Sequence, residues 1–104
     1  MDSLDYLKKI LAMIDDFLED RVKPFDFSYD LPDLLLESSS LIEKLDSGLC
    51  DTVHFNLPEV CSMYEEGAEF DPKTGVLDVQ HFKAKVQIEK DRILGYMNAK
   101  GIKV

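Results

Sequence analysis

Basic side chains are scarce in this sequence: 12 lysines and arginines stand against 21 aspartates and glutamates, for a formal net charge of −9. Proteins that grip DNA, RNA or anionic membranes need lysine and arginine to displace condensed counterions. Direct binding to nucleic acid or to a membrane is therefore not expected. Long apolar runs are also missing. The longest uninterrupted aliphatic run is Leu34-Leu35-Leu36, far short of the roughly 20 residues that span a bilayer. The start, Met1-Asp2-Ser3-Leu4-Asp5, has neither the basic nor the apolar region of a secretory signal, which makes a cytoplasmic location the expectation.

Cysteine and histidine are too few to carry much chemistry. Cys50, His54, Cys61 and His81 lack the closely paired C-x₂₋₄-C or H-x₃₋₅-H unit of a zinc site. With no secretory signal, the two thiols are expected to be reduced. Neither histidine sits in a nucleophile–base motif. The glycine-rich loops that cradle phosphates or dinucleotides are absent. Asp71-Pro72-Lys73-Thr74-Gly75 superficially suggests a calcium loop, but Lys73 stands where an oxygen ligand is needed and no glutamate closes the loop. No enzyme, metal or cofactor is expected.

What is present is a chain of 104 residues, the size of one domain covering 1–104. Leu4, Leu7, Leu11, Ile14 and Leu18 recur at helical spacing, with Asp2 or Ser3 as cap. Pro24 ends that pattern, and Phe25-Asp26-Phe27-Ser28-Tyr29 reads as a connector whose rings plug the end of a core. A second helix is expected from Asp30 as cap and Pro32 in the first turn, through the weak helix formers Ser38–Ser40, to a stop at Gly48. Asn56, Pro58 and Glu59 announce a short third helix ending at Gly67, and Asp78 caps a last one with Phe82, Val86, Ile93 and Met97 inward. Val76–Val79 could form a strand but has no evident partner. The fold class expected is all-α, an antiparallel four-helix bundle.

The charge is unevenly distributed. Residues 1–71 carry 18 of the acidic side chains and only 5 of the basic ones, which predicts a negative surface suited to a basic protein. Two stretches compete for that role. One is Glu59, Glu65, Glu66, Glu69 and Asp71, interleaved with Tyr64 and Phe70 around the end of the third helix. The other is Asp15, Asp16, Glu19 and Asp20 with Asp26; their sign is wrong for a helix C-terminus. Aromatic anchors inside a charged rim are a usual interface design, which favours the first.

The leading helix Leu4–Leu18, the connector Phe25-Asp26-Phe27, the run Leu57-Pro58-Glu59-Val60-Cys61 into Tyr64-Glu65-Glu66, and the closing segment Leu77–Val86 follow one another in a recognisable order. In these features the chain resembles the bacterial self-protective immunity proteins of the colicin D type, which include immunity proteins of contact-dependent growth inhibition systems. The resemblance implies a helical bundle that binds a cognate ribonuclease toxin, tRNase-like, and blocks its active site. It further implies that Glu65, Glu66, Glu69 and Asp71, with Glu59 a turn upstream, imitate the phosphates of the RNA substrate. The rival expectation is an acidic helical adaptor or regulatory subunit for another basic protein.

Overall fold

Asp2 and Asp5 form a reciprocal capping box, Asp2 accepting from the Asp5 N–H, and start α1 (Ser3–Leu18). Its inward face is Leu7, Ile10, Leu11, Ile14 and Phe17, the expected stripe. The computed structural model describes residues 1–104. Four more helices follow: α2 (Pro24–Leu45), α3 (Ser47–His54), α4 (Leu57–Met63) and α5 (Val79–Lys100). The class is all-α, and no helix is long and apolar enough to cross a membrane.

The second helix departs most from expectation. It begins at Pro24, not near Asp30, with Lys23 in the cap position. Proline suits this first position because its missing N–H would have no helical partner there. Pro32 consequently lies inside the helix rather than in its first turn. An interior proline leaves the carbonyl four residues back, that of Ser28, without its donor. Ser28 and Pro32 both line an open surface groove. Ser38 and Ser39 return their hydroxyls to the Leu34 and Leu36 carbonyls, and α2 runs unbroken past Ser40.

Gly48 does not stop that helix either. Asp46 ends α2 and caps α3, accepting from the Leu49 N–H at 2.9 Å. Glycine is needed at 48 for a different reason: a Cβ there would collide with the Tyr96 hydroxyl of α5, which donates to Asp46 at 2.5 Å. This hydrogen bond holds the Asp46 carboxyl below the usual carboxylate range, helped by the Leu49 N–H, and raises Tyr96. His54 closes α3 with its two ring nitrogens near the Cys50 and Leu35 carbonyls, at 2.8 and 3.1 Å.

α4 begins after Asn56, as expected, although the Asn56 side chain makes no capping bond. It ends at Met63, before Gly67. The chain then leaves extended, because Val76-Leu77 supplies the partner that the sequence did not reveal. The Leu77 N–H donates to the Met63 carbonyl at 2.9 Å, the Asp71 N–H to Val76, and Tyr64 and Leu77 form a parallel bridge. Asp78 caps α5 by accepting from the His81 N–H, and Gly101, at φ 68°, ends it in the left-handed conformation.

The elements enclose one cluster of 20 buried apolar residues. Phe17 of α1 stacks on Phe27 of α2 with centroids 4.2 Å apart, and both rings meet Phe82 of α5. Each buried side chain of this size contributes about 1.5–3 kcal/mol. Phe27 therefore does plug the core as expected of the aromatic segment. Its neighbours Phe25 and Tyr29 do not: they pack on each other at 4.9 Å on the outside of α2. One polar residue interrupts the inward row of α5. Glu89, 2 % exposed, sits between Val86 and Ile93, with one carboxylate oxygen unpartnered and the other 3.6 Å from Arg92.

Candidate functional site

The end of α4 is held from two sides before any acidic side chain is considered. Pairing with Leu77 fixes the backbone at Met63–Glu65. The Tyr64 ring stacks on Phe82, centroids 4.8 Å apart and planes within 16°. Burial, with a contribution from Glu66, pushes the Tyr64 phenol up. Glu65 and Glu66 are thereby presented outward from a rigid base, and neither forms an ion pair within the chain.

They border an open groove of about 510 Å³ between α4 and the first half of α2. Its α2 wall is Phe25, Tyr29, Pro32 and Asp33, and its α4 wall includes Pro58, Ser62 and Tyr64. Phe25 and Tyr29 are 44 % and 63 % exposed and adjoin each other, a contiguous apolar patch at the mouth of the groove. The groove floor reaches Cys61, whose thiol burial pushes up to about 12, so this sulfur is unreactive packing.

The remaining expected positions fall elsewhere. Glu59 and Glu69 are exposed and unpaired but do not border this groove. Phe70 lies flat on the His81 ring, 3.8 Å between centroids, and lines a separate cleft of about 450 Å³ against α5. Asp71 is a turn residue: its carboxylate accepts from the Lys73 N–H at 2.9 Å and its carbonyl from the Gly75 N–H. Of the expected set, Tyr64, Glu65 and Glu66 line the groove, Phe70 and Asp71 belong to the turn, and Glu59 and Glu69 stand exposed outside the groove.

The second acidic stretch is occupied internally. Lys90 of α5 pairs with Asp15 at 2.6 Å, and Lys83 of α5 pairs with Asp20. Arg21 takes Asp16 at 2.8 Å and Glu19 at 2.5 Å, hydrogen bonds that hold its guanidinium above its ordinary value. The unfavourable charges at the C-terminus of α1 are thus neutralised by α5 and Arg21. Asp26 alone of this group lacks an ion pair, on the flank of α2.

Sequence reasoning missed the α2 wall, because treating Phe25–Tyr29 as a connector hides its helical register. With the helix in place, Phe25, Tyr29, Pro32 and Leu36 recur at intervals of four, three and four on its outer face. Asp26, Asp30, Asp33 and Glu37 form the adjoining row. No group of three or more His, Cys, Asp or Glu side chains is arranged to hold a metal ion; Cys50 lies near His54, whereas His81 engages Asp78. No protein-family model, curated protein or solved structure matches the chain.

Proposed function

We propose that this chain is an immunity protein of the kind its sequence resembles, a cytoplasmic inhibitor that captures a basic nuclease toxin with an acidic surface and has no catalysis of its own. The supporting observation is the difference in pairing. Carboxylates at the end of α1 are neutralised within the chain, while Glu65 and Glu66 stand unpaired beside exposed aromatic rings.

A ribonuclease must hold phosphates, and so presents lysine and arginine in its cleft. Preformed carboxylates on a rigid base meet that cleft without the cost of ordering a loop. Long-range attraction speeds the encounter, at rates that fall as salt rises. Protecting a producing cell requires such rapid capture.

The test is whether the gene immediately upstream encodes a secreted nuclease toxin and, with the nuclease domain of that toxin, co-expression. The expected result is restored growth and a purified one-to-one complex in which RNA cleavage is blocked. Failure to form that complex, or a stable complex with a basic partner lacking nuclease activity, would replace this reading with the adaptor alternative.

A further inference from the structure

We propose that the outer face of α2 and the α4 groove together form a docking surface for an arginine-bearing segment of the basic partner, with Phe25 and Tyr29 receiving the guanidinium groups. The inference rests on the reading above that the partner is basic, and adds the surface that meets it and the side chain it selects.

One face of α2 has no partner within the chain. The core of α2 is made by Phe27, Leu31, Leu34, Leu35, Ser38 and Ile42. Phe25, Tyr29, Pro32 and Leu36 lie on the opposite side. Tyr29 and Leu36 are 63 % and 79 % exposed. This stripe extends about 16 Å along the helix axis, from the rise of 1.5 Å per residue.

Charge identifies the occupant. Asp33 borders the groove and Glu65 and Glu66 stand across it; further along the same flank, Glu37 faces α1, and Asp26 and Asp30 line a second groove against α1 that also holds Lys9, Arg21 and Lys23. Asp26, Asp30, Asp33, Glu65 and Glu66 form no ion pair with any lysine or arginine of this chain; Glu37 accepts a single hydrogen bond, from the Tyr6 hydroxyl at 3.3 Å. A second copy docked through the same face would bring these rows against each other, and an anionic membrane or nucleic acid would be repelled in the same way. A basic polypeptide is the complementary occupant.

Arginine suits this surface better than lysine. Its planar guanidinium can lie on an aromatic face while donating in bidentate fashion to a carboxylate. Phe25 and Tyr29 supply the faces, and Asp33, Glu65 and Glu66 border the same groove. Within the chain, Arg92 of α5 lies 4.8 Å from the Phe55 ring centroid and Lys100 stands farther, 5.8 Å, from that of Tyr96.

The experiment needs no cognate toxin. The ¹⁵N-labelled full chain is titrated with a synthetic Arg-Leu-Arg-Arg-Leu-Arg amide and with its lysine counterpart, and backbone shifts are followed at two salt concentrations. The expected result is shifts confined to the Phe25–Glu37 and Ser62–Glu66 segments, with the arginine peptide binding more tightly. Phe25→Ala and Tyr29→Ala should each weaken it about threefold, the size of an exposed cation–aromatic contact. Asp33→Asn with Glu65→Gln, whose fold is checked by circular dichroism, should weaken both peptides.

Shifts centred on Asp15–Asp20, shifts spread over all carboxylates, equal affinity for the two peptides, or no binding would overturn the proposal. Concentration-dependent shifts of the α2 stripe without peptide would instead assign this face to a second copy. None of these outcomes depends on the nuclease reading, which stands or falls on the co-expression test.

Discussion

Asp15 and Asp20 at the end of α1 face Lys90 and Lys83 of α5, whereas Asp33, Glu65 and Glu66 around the groove face no basic side chain of their own molecule. In sequence the two competing stretches are equally acidic, with five carboxylates each. The packing of α5 along α1 separates them. It places two of the few lysines over one acidic region and none over the other, so the uneven charge of the sequence becomes a neutralised flank and an unneutralised groove. A carboxylate with an internal partner stabilises the fold slightly and is poorly placed for another protein. A carboxylate without one remains free for a partner, which is why the groove carries the proposed function.

Phe82 underlies both regions, touching Phe17 at the α1 end and Tyr64 at the groove. Phe82→Ala should abolish the distinction by loosening both, with a loss of about 3–5 kcal/mol in urea unfolding. If Glu65 and Glu66 still captured the partner as tightly in a folded Phe82→Ala protein, the rigid base would not matter.

Glu89→Met is the next largest change and has the opposite sign. The carboxylate is buried with one oxygen unpartnered, so a matched apolar side chain should raise stability by about 1–4 kcal/mol. Unchanged partner binding would place Glu89 outside the interface. A loss of stability would mean that its pairing with Arg92 contributes more than its burial costs.

Asp46 separates charge serving the fold from charge serving a partner. Its folded pKa is lowered, chiefly by the Tyr96 hydroxyl. Its contribution is therefore complete above the unfolded value near 3.8 and is lost as pH falls through the folded one. Asp46→Asn keeps a competent cap for α3 but should reduce the acid sensitivity of unfolding, measured between pH 7 and pH 3. An unchanged acid limb would contradict this.

The smallest effect belongs to the α1–α5 pairs. Lys83→Met with Lys90→Met should cost roughly 0–1 kcal/mol, less in high salt, because the paired carboxylates Asp15 and Asp20 are largely exposed. The same double variant leaves Asp15 and Asp20 unpaired. If pairing is what silences this region, a basic partner should then show measurable new attraction to it.

Periodicity made α1 and α5 legible, since each keeps an apolar row, broken in α5 by Glu89 alone, and a side-chain cap at Asp2 or Asp78. The start of α2 was not, because Pro24 and Pro32 both look like boundaries and only packing shows that the second is tolerated inside a helix. Gly48 resembled a stop, yet its role is a close approach to Tyr96, 48 residues away. The site was half legible. Glu65 and Glu66 stand out as charge beside Tyr64, but the aromatic wall across the groove needs the helical register of Phe25–Tyr29. The internal pairing of the competing patch needs Lys83 and Lys90 placed in space. Both are tertiary facts that a local pattern does not contain.

In the proposed function, unpaired groove carboxylates, not the paired ones of α1, capture the partner. A charge-reversal scan by calorimetry against the nuclease domain identified by co-expression, at two salt concentrations, decides between the two regions. Glu65→Lys and Glu66→Lys should each weaken the complex by an amount in the range of about 1.5–7 kcal/mol found for close interfacial charge pairs, with the fold intact. Asp15→Lys and Asp16→Lys should change affinity little and mainly alter the salt dependence of the on-rate. Loss of binding on reversing Asp15 or Asp16, with Glu65 and Glu66 neutral, would contradict the account.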